Sequence, residues 1–315
     1  MKFFYRLVVV LLVSCMVFLF AGVLATWAPD KPVATLVARW APPPSQFVMV
    51  QGMSVHVRDE GPRDDPMPLV LLHGTSASLH TWNGWTTALE AKHRVIRFDL
   101  PGFGLTGPNL HNDYSIGAYV QFVGAVMDAL GVQRFALAGN SLGGQIAWSV
   151  AAAMPQRVAK LILVDAGGYP LNPESVPISF RIARMPGARL LMEQVLPRGV
   201  VTSSLRSVYG DPTKVTPELV DLYYDMALRT GNRQALTKRM DQLRNDDDAR
   251  IKTLKVPTLI LWGEKDRLIP VANGKRFAAD IAGSRLVIFE DLGHVPHEED
   301  AGRTVKPVIE FLESS

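Results

Sequence analysis

Hydrophobic positions fall into three regimes along this chain. Residues 7–27 are an almost unbroken apolar run preceded by Lys2 and Arg6. From residue 47 onward, apolar runs of four to six residues recur at 68–72, 94–98, 135–138, 161–164, 258–262 and 285–289, and read as buried strands. Stretches with helical spacing stand between or behind them at 116–130, 142–154, 271–281 and 302–312. Two short runs flanking Gly52, 47–50 and 53–58, read as a hairpin. The alternation lapses between Ala166 and Asp247, where helix-like stretches (177–182, 218–229, 233–243) occur without a convincing strand. Met185, Leu190, Leu191, Met192, Leu196, Tyr209, Tyr223 and Tyr224 concentrate there, as a cap over the sheet or a second packing layer would require. The expected fold class is α/β, a mostly parallel central sheet covered by helices, with a helical cap inserted at 167–250.

The apolar run at 7–27 is about as long as a helix needs to cross a bilayer. Residues 1–28 are therefore expected to be a membrane anchor or signal segment. The anchor is the favoured reading, with the N-terminus cytoplasmic and the bulk of the chain periplasmic or extracellular. Cleavage near Val23 and Ala25, giving a secreted protein, is the alternative. Lipid attachment at Cys15, in Leu12-Val13-Ser14-Cys15, is the third. Residues 29–46, with Pro29, Pro32 and Pro42-Pro43-Pro44, read as a tether leading to a domain over 47–315.

Composition narrows the chemistry. The net charge of +3 over 315 residues includes Lys2 and Arg6, and no block of five like charges occurs, so nucleic acid is not an expected partner. Cys15 is the only cysteine, which leaves the rest of the chain without a disulfide framework or a thiol nucleophile. Seven scattered histidines lack the His-Glu-x-x-His spacing, and no metal or cofactor is expected. Oligomeric state is not encoded in any pattern here.

Gly139-Asn140-Ser141-Leu142-Gly143-Gly144 joins an apolar strand to a helix-like stretch. That context turns a glycine-flanked serine into a candidate nucleophile held up on a tight, strained turn. A base is then expected late in the chain. His294, just after the 285–289 strand, is preferred, with His297 in reserve. The orienting acid should come from another strand end: Asp266 is the choice, Asp165 the competitor, and Glu264 a surface residue. Two amides must face a developing oxyanion, and Leu142 and Thr75 are in position to provide them. His73 reads as a structural loop residue.

These motifs resemble the α/β-hydrolase superfamily over roughly residues 47–314. The resemblance implies that Gly139 to Gly144 is the nucleophile elbow, His73-Gly74-Thr75 the oxyanion loop, and Asp266 with His294 the rest of the triad. Asp99-Leu100-Pro101-Gly102-Phe103-Gly104 is similar to the superfamily's second conserved loop beside the pocket. Serine at the elbow argues against the dehalogenases and epoxide hydrolases, which use aspartate. The expected activity is carboxylesterase- or lipase-like cleavage of a hydrophobic small-molecule ester. The Gly-Asn-Ser elbow is also similar to the C–C bond hydrolases of aromatic-ring degradation, so a ring-cleavage dienoate is the alternative substrate. A non-catalytic ligand-binding member and a cofactor-free perhydrolase are further alternatives.

Overall fold

The computed structural model describes residues 2–170, 174–183, 194–242 and 248–314. Eight strands form one sheet: β1 (Gln46–Val50), β2 (Met53–Glu60), β3 (Leu69–Leu72), β4 (Val95–Phe98), β5 (Phe135–Asn140), β6 (Val158–Val164), β7 (Thr258–Gly263) and β8 (Arg285–Phe289). Their spatial order is β1-β2-β4-β3-β5-β6-β7-β8. The β1–β2 hairpin and the β2–β4 pair are antiparallel, and every later pair is parallel. This is the α/β-hydrolase arrangement expected from the sequence.

The all-apolar strands are explained by a sheet buried on both faces. In β3, Val70 and Leu72 enter one core and Leu69 and Leu71 the other. In β7, Ile260 and Trp262 go one way, Leu259 and Leu261 the opposite way. Each such fully buried side chain contributes about 1.5–3 kcal/mol relative to an exposed one. Helices α3 (Asn83–Leu89), α4 (Ile116–Ala129) and α5 (Leu142–Ala153) fill the crossovers. The helix expected at 302–312 is two pieces, Ala301–Thr304 and Lys306–Glu313, with Pro307 at the start of the second.

Between β6 and β7 the chain forms helices Ile178–Ala183, Arg198–Val208, Pro217–Leu228 and Asn232–Asp241. They build a cap with its own core of Leu196, Leu205, Tyr209, Val220 and Leu228. Met185, Leu190, Leu191 and Met192 lie outside the described residues.

The membrane anchor is a correction. No helix among the described residues is long and apolar enough to cross a membrane. The assignment to a membrane and to its non-cytoplasmic side, which rested on that span, goes with it. Helix α1 (Lys2–Ala25) ends where the chain is taken up by the folded domain. Leu196 donates to Thr26 O at 3.1 Å, Ala28 to Gln194 O at 2.9 Å, and Lys31 pairs with Asp225 at 2.8 Å. Within residues 29–46, helix α2 (Val33–Trp40) buries Leu36 with Leu105, Leu222 and Met226. Apolar length in the sequence carried the anchor expectation; these attachments of residues 26–40 to the cap were not visible in it.

Candidate active site

Three strand ends converge below the cap. Ser141 follows β5 and opens α5 with φ +55° and ψ −116°, a conformation that costs a non-glycine residue energy. The glycines around it leave room for the crossing. A Cβ on Gly139 would stand 2.1 Å from Gly143 O, and one on Gly143 would stand 2.2 Å from Leu72 O. The backbone of the turn is pinned, with Ser141 N donating to Val164 O at 3.1 Å and Ser141 O accepting from Gly167 N at 2.9 Å.

Asp266 lies in the turn after β7 and His294 in the loop after β8, both buried. His294 Nδ1 meets Asp266 Oδ2 at 2.7 Å. The carboxylate can only accept, so Nδ1 carries a proton, and in the neutral ring Nε2 keeps its lone pair. The other Asp266 oxygen accepts the amides of Leu268 and Ile269 at 2.8 and 2.9 Å. His294 N donates to Val208 O of the cap at 2.8 Å.

The loop after β3 passes close to the serine: a Cβ on Gly74 would lie 3.1 Å from Ser141 Cβ. Thr75 lines the same cavity as Ser141 and His294. Leu142 is the first residue of α5, where helical amides have no intrahelical acceptor. Among the described hydrogen bonds, neither the Thr75 nor the Leu142 amide has an acceptor.

The remaining candidates sort by their partners. His73 Nδ1 donates to Gly74 O at 2.8 Å and Nε2 accepts from Leu100 N at 2.9 Å, while burial lowers its pKa. His297 stacks on Trp82 with ring centroids 4.0 Å apart and holds Thr81 at 3.0 Å. Burial keeps it well below the ordinary histidine range. Glu264 is exposed. Asp165, directly after β6, accepts Gly263 N at 3.0 Å. Among the described residues, Asp165, Asp266 and His294 are the cluster with donor atoms close enough to hold a cation. Within that cluster the contact between Asp266 and His294 is the 2.7 Å hydrogen bond.

Two sets of residues escaped sequence reasoning. The Asn140 side chain donates to Val164 O at 3.1 Å and to His294 O at 2.9 Å, stapling the serine turn to the histidine loop. Its place beside Ser141 was the only signal. Glu299 accepts the amides of Gly210, Asp211 and Gly293 at 2.8–2.9 Å. Glu298, whose carboxyl is pushed up by burial, accepts from Tyr223 Oη at 3.0 Å. Both glutamates sew the cap to the histidine loop, through partners about 75 to 90 residues distant in sequence.

A cavity lies between cap and sheet. Thr75, Ser141 and His294 form its floor; Phe180, Leu196, Val201, Leu205 and Val208 line its cap side. The described cation on its wall, Arg233, pairs with Asp30 through Nε at 3.2 Å.

Residues 67–301 match the family model described as the alpha/beta hydrolase fold. A 2-hydroxy-6-oxononadienedioate/2-hydroxy-6-oxononatrienedioate hydrolase of a Pseudomonas species is 30% identical over 273 residues, which cover 82% of this chain and 92% of that protein. Among solved structures, a meta-cleavage product hydrolase of Pseudomonas fluorescens IP01 superposes with a TM-score of 0.74 at 25% identity, covering 85% of this chain and 97% of that one. A bacterial membrane phospholipase A superposes with a TM-score of 0.73 at 25% identity, covering 99% of this chain and 98% of that one.

Proposed function

The chain belongs to the alpha/beta hydrolase fold family and is a serine hydrolase, and from that premise we propose that it cleaves a hydrophobic, uncharged carboxylic ester at Ser141. His294 Nε2 takes the Ser141 proton as Oγ attacks the ester carbonyl. The amides of Thr75 and Leu142 receive the oxyanion, each such donor being worth about 10²–10³ in rate. The imidazolium, stabilised by Asp266, returns its proton to the departing alcohol. Water activated by the same histidine then releases the acid from the acyl-enzyme.

The observation that carries the ester reading is the lining of the cavity. Its cap side presents Phe180, Leu196, Val201, Leu205 and Val208, the two cap serines Ser179 and Ser204 hydrogen-bond each other at 3.0 Å, and Arg233 is already paired with Asp30. An uncharged acyl chain is stabilised by such walls, whereas a carboxylate entering them would lose its hydration without a committed counter-charge.

C–C bond hydrolysis of a ring-cleavage dienoate is the second reading. The named sequence relatives favour it over the esterases, the Pseudomonas enzyme among them. A panel of p-nitrophenyl esters of increasing acyl length, beside a 2-hydroxy-6-oxo-dienoate, separates the two. The ester reading expects turnover that rises with acyl length and none on the dienoate. Turnover of the dienoate alone contradicts it.

A further inference from the structure

Asp165 is a fully buried carboxyl with one hydrogen bond and a strained backbone. It directly follows β6, next to β7 in the sheet, with φ +43°. Oδ1 accepts the Gly263 amide, and Oδ2 has no partner. A carboxyl oxygen of Asp165, one of Asp266 and a ring nitrogen of His294 all lie within 4.8 Å of one another. Two anions that close in a dry site repel strongly, and one of the pair is expected to keep its proton.

Counting donors decides which. Asp266 accepts three hydrogen bonds, from Leu268 N, Ile269 N and His294 Nδ1. Asp165 accepts one. The negative charge settles where the donors are, which leaves the proton on Asp165. Its Oδ2 is the oxygen without a partner, so that oxygen is the one to carry it.

We propose that Asp165 is a positioning residue of the active site, a buried neutral carboxylic acid whose O–H is donated to the Asp266 carboxylate and fixes it against His294. The proposal rests on the assignment of Asp266 and His294 to Ser141. The direction of the Asp165 pKa agrees: burial, then the charge of Asp266, pushes it well above the ordinary carboxylate range. The ionisable groups facing it are Asp266, His294 and Glu299, the last held by backbone amides.

Asparagine reproduces a protonated aspartate, since its carbonyl can accept from Gly263 while its amide donates to Asp266. Asp165→Asn should keep kcat/KM within about threefold, whereas Asp165→Ala should lose about 10²-fold, the scale of a misplaced catalytic group. Losing the donor makes Asp266 more basic and the His294 imidazolium more stable, so the acid limb of the Asp165→Ala profile should move to higher pH. In Asp266→Asn, Asp165 is freed of its charged neighbour, and activity should partly return at alkaline pH; the double variant with Asp165→Asn should not recover.

An infrared readout stands apart from catalysis. At neutral pH the difference spectrum between the wild type and Asp165→Asn should contain the carbonyl stretch of a protonated carboxylic acid, and so should the same pair on a Ser141→Ala background. Absence of that band, or Asp165→Asn as damaged as Asp165→Ala, overturns the proposal. If Ser141 proves unreactive while the band is present, the functional reading fails and the proton on Asp165 stands.

Discussion

Two serine–histidine–aspartate arrays occur among the described residues, and the one with the more complete hydrogen bonding is not the one we assign to catalysis. Ser45 Oγ lies 2.9 Å from His56 Nε2, and His56 Nδ1 lies 2.8 Å from Asp99 Oδ2. In the array of Ser141, His294 and Asp266 the histidine–aspartate bond is 2.7 Å, while no described hydrogen bond joins Ser141 Oγ to the ring. Connectivity alone would pick Ser45 over the serine we propose.

What separates them is the freedom of the hydroxyl and what surrounds it. Ser45 precedes the edge strand β1, and its oxygen also accepts from Arg58 Nε at 2.9 Å. Asp99 is further engaged by the amides of Leu79 and Leu105, both at 2.7 Å. That array holds the chain before β1 to the loops after β3 and β4. Ser141 has a strained backbone, faces an apolar cavity, and stands beside amides without acceptors. Its open bond to His294 is what a free enzyme can show, because catalytic hydrogen bonds often tighten only around substrate.

Substitutions should divide the arrays by what they damage. Ser141→Ala should lower turnover by about 10⁵–10⁶-fold with little change in denaturation midpoint. Ser45→Ala in the same ester assay should stay within about twofold of the wild type, since a hydrogen bond remote from the chemistry carries about 1 kcal/mol of stability. Equal losses from the two would erase the distinction. Asp99→Ala should cost about 3–5 kcal/mol in urea unfolding, because it strips buried partners of their acceptor. Despite burial, which acts the other way, His56, His73 and His80 hold the Asp99 carboxyl well below its usual range. A loss under about 1 kcal/mol would make that array dispensable.

Acid should weaken the structural array's surroundings through His80, whose ring lies 5.8 Å from that of His56 and whose Nε2 meets Trp40 O at 2.7 Å. Burial lowers its pKa to about 4, against the facing charge of Asp99, while the unfolded chain titrates near 6.5. Between those values the unfolded state binds the extra proton, so stability is full above about pH 6.5 and falls as pH drops toward 4. His80 alone accounts for about 3 kcal/mol of that loss. Denaturation midpoints measured across this range should fall with pH, and a flat profile would contradict the burial of a neutral His80.

Much of this was legible along the chain, for identifiable reasons. The strand runs could be read because both faces of the sheet are buried, so Leu69 to Leu72 carries no polar position. The serine turn could be read because Gly139 and Gly143 are dictated by backbone contacts under 2.5 Å from any added Cβ. Helix α3 gave no clear period, and Pro307 broke a final helix that periodicity had made continuous. The N-terminal run was weighed by apolar length alone, and the anchor drawn from it did not survive. Asn140, Glu298 and Glu299 act through partners brought near only by folding, which no local pattern records. The same holds for the proximity of Asp165 and Asp266, which entered the sequence reading as rivals for one role.

A fluorophosphonate probe with the modified residue mapped by mass spectrometry tests the central assignment most directly, because it asks which serine hydroxyl is activated. The account predicts one stoichiometric adduct on Ser141, none in Ser141→Ala, and none on Ser45 in either protein. A folded wild type that takes no label, or an adduct on Ser45 in place of Ser141, would contradict it.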